Sequence, residues 1–161
     1  MLTLDQARSL ADSYAAKAGA IWFPDVAPIE RPEYWFLPVG YIGSSGVIVC
    51  KSSGRLTPLG SAFAIDDWLW GYERGLVTEG VTLRILSVRD TEATLGVLQG
   101  VISNTFRWRY ELRNWLKQAL SAVPTEFRDQ RLALAIPQFR EAELKNWFSF
   151  EIKNGPESSQ L

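Results

Sequence analysis

Histidine is absent from this chain of 161 residues, and cysteine occurs once, at Cys50. Without histidine there is no imidazole base for a catalytic triad, no histidine ligand for a metal, and no histidine pH switch. A single cysteine excludes disulfide frameworks, CxxC redox motifs and cysteine-rich zinc sites. The composition therefore predicts a protein of a reducing compartment that is not an enzyme and needs no cofactor or metal.

Excess charge of one sign and long apolar runs are also missing. The 17 basic and 18 acidic residues give a net charge of −1, which argues against a dedicated nucleic-acid-binding or membrane-surface protein. No window approaches the ~18 uncharged apolar residues of a membrane span. Asp5 and Asp12 interrupt the apolar pattern at the N-terminus, unlike the uncharged core of a signal peptide. We therefore expect a cytoplasmic protein without a membrane partner.

In the first half of the sequence, apolar residues at helical spacing predict a helix over 3–18, capped by Thr3 or Asp5 and ended by Gly19. A proline-rich loop precedes two strands, 34–37 and 47–50. The turn 52–54 predicts a hairpin between antiparallel strands. A short helix over 66–73 follows, and Gly75 ends it.

In the second half, alternation from Val81 predicts a half-buried strand, and Asp90 or Thr91 begins a helix. A second helix from about Thr105 is expected to turn Trp108, Leu112 and Trp115 inward. After Pro124 we expect a helical stretch to about Ile136 that Pro137 interrupts and that resumes over 141–146. For residues 147–152 we expect a closing strand, with a helix as the alternative. The sequence thus predicts an α+β fold: residues 1–78 form a helix packed on a small antiparallel sheet, and residues 79–161 form a second, α-rich α+β unit.

Candidate catalytic features each have a simpler structural interpretation. Cys50 ends an apolar run without an activating histidine, so a buried core thiol is expected. Asp66 and Asp67 are interpreted as the N-cap and first turn of the short helix. The glycine-rich runs 40–46 and 54–61 lack the strand–loop–helix context of a phosphate-binding loop and are predicted to be ordinary turns.

The segment 107–117 mixes basic and aromatic residues, as some nucleic-acid-binding surfaces do. At helical spacing, however, Arg109, Arg113 and Lys117 form one stripe, while Trp108, Leu112 and Trp115 form another. This division is typical of a solvated face and a core face. It predicts a structural helix and no direct contact with nucleic acid.

One stretch has a more specific pattern: residues 47–61 and then 65–73. It resembles the YrhB-like domain of the immunity protein 35 family, bacterial proteins that neutralise polymorphic and contact-delivered toxins. That family has an N-terminal helix, an aromatic strand, a strand ending in a glycine-containing turn, and a short helix ending in tyrosine and glutamate. Trp35-Phe36 stands in the aromatic strand, Lys51 to Gly60 in the turn, and Tyr72-Glu73 at the helix end. Cys50 stands where the family has an acidic residue. The resemblance covers about residues 3–75.

The resemblance implies an immunity protein that forms a tight 1:1 complex with a cognate toxin, including effectors of type VI secretion such as nucleases. Such a protein needs a rigid fold and a complementary surface, with no catalytic group, cofactor, metal or small-molecule substrate. The alternative is a small cytoplasmic adaptor or chaperone domain without a toxin partner.

A nuclease presents a basic groove to its substrate, and an inhibitor can match this groove with carboxylates. The acids with the least evident internal role lie in the proline-rich loop and on the short helix, and two aromatic residues lie beside the loop as anchors. The predicted partner-binding residues are Trp22, Asp25, Glu30, Glu33, Tyr34, Asp66 and Asp67.

Overall fold

The structure, a computed structural model, describes residues 1–19, 21–22, 26–40, 43–102 and 109–153. The class is α+β, as predicted. The elements are α1 (Leu4–Ala18), β1 (Ile21–Trp22), β2 (Ile29–Glu30), β3 (Tyr34–Leu37), β4 (Val39–Gly40), β5 (Ser44–Cys50), β6 (Leu56–Gly60), α2 (Ile65–Glu73), β7 (Val81–Val88), α3 (Thr91–Val101), α4 (Arg109–Ser121), β8 (Thr125–Gln130), a 3-10 turn (Ala133–Ala135), α5 (Ile136–Leu144) and β9 (Phe148–Lys153). They form two compact units, Met1–Ala64 and Ile65–Leu161.

Helix α1 begins and ends where its caps place it. The Thr3 hydroxyl accepts a hydrogen bond from the Gln6 backbone N–H, and the Gln6 side chain accepts one from the Thr3 backbone N–H. Gly19 ends the helix in the left-handed conformation at φ 67°. The buried face consists of three alanines, Ala7, Ala11 and Ala15. This face is narrow, and Leu10 on the same helix is 38% exposed.

The first unit contains a four-stranded antiparallel sheet in the order β2-β3-β5-β6 and a two-stranded sheet of β1 and β4. The alanine face of α1 packs against Leu37, Val47 and Val49. The predicted hairpin between β5 and β6 is confirmed, because the Gly54 N–H donates to the Cys50 carbonyl (2.9 Å) and the Cys50 N–H donates to the Arg55 carbonyl (3.0 Å).

The second unit contains a three-stranded antiparallel sheet in the order β8-β7-β9. Along β7, buried Val81, Leu83 and Ile85 alternate with half-buried residues, as the sequence predicted. Helix α3 packs against α4 and α5, and α5 packs against β9. Phe139 of α5 contacts Phe148 and Phe150 of β9 with centroid separations of 5.8 and 4.9 Å, which places an aromatic cluster under the sheet.

The prediction of a helical stretch after Pro124 is wrong. Residues 125–130 form strand β8, which pairs with β7 and buries Phe127. Pro137 does not interrupt a helix but lies in the first turn of α5, where its missing N–H has no intrahelical acceptor to lose. The apolar residues Leu132, Ala135 and Ile136 therefore belong to a connection and to the start of α5.

The two compact units divide after Ala64, whereas the sequence placed the boundary near residue 78. The difference is helix α2, which packs against α5. At Gly71 the approach is close: a Cβ there would lie 2.5 Å from Cδ1 of Ile136. Helix α2 therefore belongs with the second unit.

Candidate partner-binding surface

The turn between β2 and β3 presents two of the predicted acids. Glu30 is the last residue of β2, which lies at one side of the four-stranded sheet, and Glu33 lies in the turn. Both are exposed. The Arg31 N–H donates to the Tyr34 carbonyl (2.9 Å), and the Lys51 N–H donates to the Glu33 carbonyl (2.9 Å). Backbone hydrogen bonds on both sides thus fix the course of the chain through this turn.

Lys51, which follows β5, contacts both strands of the β2–β3 hairpin. Its side chain is only 9% exposed, and its Nζ lies 2.7 Å from Oε1 of Glu30 and 4.7 Å from the ring centroid of Trp35. The Trp35 Nε1–H donates in turn to the carbonyl of Leu2 (3.2 Å). A buried ammonium needs a countercharge, and Glu30 supplies it. Glu30 therefore has a structural role, contrary to the expectation that it was among the acids with the least evident internal role.

The other predicted residues of the loop are placed differently. Tyr34 is 2% exposed in β3, so it is a core side chain and not the expected surface anchor. Trp22 lies in β1, but its side chain is outside what the structure describes, as is the whole of Asp25. The structure therefore brings Glu30 and Glu33 together on one hairpin and withdraws Tyr34 from the surface.

Asp66 and Asp67 lie in the first turn of α2, in the other unit. The helix begins at Ile65, so both acids are inside it and neither is at its N-cap. Asp66 is exposed. Asp67 accepts a hydrogen bond from Nη1 of Arg140 on α5 (2.6 Å). Asp67 therefore helps to hold α2 on α5, which again differs from the free carboxylate that the sequence suggested.

A second ion pair strengthens the same helix contact. Arg74 donates two hydrogen bonds to the Glu143 carboxylate (2.8 and 2.7 Å), and its guanidinium lies 4.2 Å from the ring centroid of Trp70. These hydrogen bonds from Arg74 lower the pKa of Glu143 below its ordinary 4.5. The planar fork of arginine matches the carboxylate, so the pair fixes both orientation and distance.

Cys50 is half-buried and not the buried core thiol that was expected. Its Sγ lies 3.2 Å from the Ser52 hydroxyl. Hydrogen bonds from the Ser52 and then the Ser53 side chain lower the pKa of the thiol from 9.0 to about 7. Ser52 and Ser53 were the feature of the sequence from which this lowered pKa could have been predicted. A cleft of about 430 Å³ lies beside this turn, between it and the start of α1.

Two residues of the basic stripe on α4 pair with α3. Arg113 and Lys117 both pair with Glu92, and Arg113 also donates to the Gln99 side chain (3.2 Å). This arrangement agrees with a solvated structural face. Trp115, expected to point inward, is 38% exposed and meets Phe127 edge to face at 5.6 Å. Trp108 and the predicted helix start near Thr105 lie outside the described residues.

The glycine-rich runs are turns and strands where the structure describes them. Gly40 is in β4, Gly46 is in β5, and the run 54–61 contains the whole of β6. Among the described residues, no three histidine, cysteine, aspartate or glutamate side chains are grouped closely enough to hold a metal ion.

Comparisons of the chain with protein-family models, with curated proteins and with solved structures gave no match. In the part of the chain that the structure describes, none of the helices has the length and apolar character to cross a membrane.

Proposed function

We propose that this protein is an immunity protein that binds and neutralises a cognate bacterial toxin in a tight 1:1 complex. The observation that carries the proposal is the β2–β3 hairpin, where exposed Glu30 and Glu33 stand on a backbone fixed by hydrogen bonds. The resemblance of residues 3–75 to immunity proteins supports the same function. The proposal also places the protein in the cytoplasm, where the toxin would act.

The hairpin suits a binding surface because little of it has to be ordered when a partner docks. Lys51 holds the Glu30 carboxylate at 2.7 Å, yet 61% of the Glu30 side chain remains accessible. Pro32 restricts the chain between the two acids. A surface that is already fixed loses less conformational entropy on binding, which favours affinity and slow dissociation.

The chemistry of the hairpin favours a partner with a basic surface. The exposed Glu33 carboxylate complements lysine and arginine side chains, and Glu30, although it neutralises Lys51, keeps 61% of its side chain accessible beside it. Opposite charges accelerate encounter as well as selecting the partner. The substrate groove of a nuclease is such a surface, because it must bind phosphates. We therefore propose a nuclease as the toxin and its substrate groove as the surface that the hairpin covers.

Co-expression with the toxin encoded by the neighbouring gene tests the function. Immunity predicts that cells producing both proteins survive, that the two proteins co-purify, and that the complex has the mass of one copy of each. Cells that die despite normal amounts of this protein would overturn the proposal. Co-purification without protection would also contradict it, because binding would then not neutralise the toxin. Absence of co-purification would favour the adaptor or chaperone alternative, which has no toxin partner.

Charge reversal tests the surface separately from the function. Glu33→Lys should weaken the complex by at least about tenfold, because a like charge then faces the basic partner. Added salt should weaken the wild-type complex more than the variant complex. Asp12→Lys is the matched control, since Asp12 is an exposed acid on α1 of the same unit, and it should bind as the wild type does. Equal affinities of the toxin for the wild type, Glu33→Lys and Asp12→Lys would show that the hairpin is not the binding surface. That result would not contradict the immunity function.

Glu30 requires a milder change than reversal. A lysine there would place a second ammonium beside the buried Lys51, and the variant would lose stability for a reason unrelated to binding. Glu30→Gln keeps the shape and a hydrogen-bond acceptor but removes the countercharge of Lys51, so its free energy of unfolding is measured alongside its affinity. We expect it to weaken the complex less than Glu33→Lys. An effect larger than that of Glu33→Lys would place the main contact at Glu30.

Asp66→Lys tests whether the second unit also contacts the partner. Asp66 is exposed in the first turn of α2, so its reversal leaves the Asp67–Arg140 pair in place. A weaker complex would assign part of the interface to α2. An unchanged complex would confine the interface to other surfaces.

A further inference from the structure

We draw no further inference here: the strongest candidate, the apolar groove of about 300 Å³ that Gly96, Gly100 and Leu134 line between α3 and the start of α5, carries nothing because no feature of the described residues shows what covers it.

Discussion

In both units a helix packs on a sheet, but the side chains at this contact are small in the first unit and large in the second. In the first unit, α1 meets its sheet through Ala7, Ala11 and Ala15. In the second, α5 meets β9 through the rings of Phe139 and Phe148. Small side chains let a helix approach closely and leave no room for added atoms, whereas large rings contribute buried area that truncation removes. The units should therefore fail under opposite kinds of substitution.

Truncation in the second unit should have the largest effect. Phe139 is fully buried and contacts two further rings, so Phe139→Ala should lower the free energy of unfolding by about 3–5 kcal/mol. Leu144→Ala on the same helix is the control, since Leu144 is 80% exposed, and it should change stability by less than about 0.5 kcal/mol. Denaturant unfolding measures both. Similar effects for the two variants would show that the aromatic cluster is not a main contributor to stability.

Enlargement in the first unit should have the next largest effect. Ala11→Leu should lower the free energy of unfolding by about 1–3 kcal/mol, because the extra atoms meet a closely packed sheet. Alanine and leucine differ little in helix propensity, so the change isolates packing. Ala16→Leu, at an exposed position of α1, provides the comparison and should be nearly neutral. The proposed contrast between the units fails if the two leucine variants are equally stable.

Two helical glycines of the second unit differ in how much space surrounds them. A Cβ at Gly71 would lie 2.5 Å from Cδ1 of Ile136, whereas a Cβ at Gly96 would meet no described atom within 4 Å. Gly71→Ala should therefore lower the free energy of unfolding by about 1–2 kcal/mol, the packing cost less the gain in helix propensity. Gly96→Ala should raise it by about 0.5–1 kcal/mol.

Removing the crowding atoms should rescue the first of these variants. The added Cβ would also lie 2.7 Å from Cγ1 and 3.1 Å from Cγ2 of Ile136, and Ile136→Ala deletes these atoms together with Cδ1. The double variant Gly71→Ala/Ile136→Ala should therefore be more stable than the two separate losses predict. A double-mutant cycle from denaturant unfolding measures this coupling. Strict additivity would locate the cost of Gly71→Ala elsewhere.

The smallest effect is a dependence on pH. The folded pKa of Glu143 is lowered by Arg74, so the unfolded state binds the proton more readily. The stabilisation by this pair is complete above the ordinary pKa of 4.5 and is lost as the pH falls through the lower folded pKa. Because both side chains are partly exposed, we expect a total of about 1 kcal/mol or less.

Arg74→Met should remove that part of the acid sensitivity. The variant should be less stable than the wild type near neutral pH, and the difference should shrink in acid. Lys145→Met breaks an exposed pair with Glu141 on the same helix and serves as control, with an expected change below about 0.5 kcal/mol. A stability difference between Arg74→Met and the wild type that stays constant with pH would contradict the assigned pKa shift.

Sequence reasoning succeeded where structure depends on near neighbours. The capping box at Thr3, the left-handed Gly19 and the turn before Arg55 are all fixed by residues within a few positions of one another. It failed at β8, where charged residues surround Phe127, the one buried apolar residue of the strand. The pairing with β7, some 40 positions earlier, decides the conformation there. Pro137 was misread because the same residue that breaks a helix interior is favoured in a first turn.

At the candidate site, too, sequence reasoning succeeded for local features and failed for contacts between distant positions. The exposure of Glu33 in a proline-containing turn followed from local sequence. The role of Glu30 did not, because its partner Lys51 is 21 positions away and only the sheet brings them together. Tyr34 looked like a surface aromatic beside the loop. Its register opposite Cys50 in the sheet places it in the core instead.

The half-buried thiol offers a practical route to following the proposed complex. Cys50 is the only cysteine in the chain, so a thiol-directed fluorophore attaches at one known position without prior mutagenesis. The lowered pKa of the thiol, about 7, increases its thiolate fraction near neutral pH, and the thiolate is the form that reacts with such reagents. Cys50 pairs in register with Tyr34, the residue that directly follows Glu33, so a dye there is attached next to the β2–β3 hairpin.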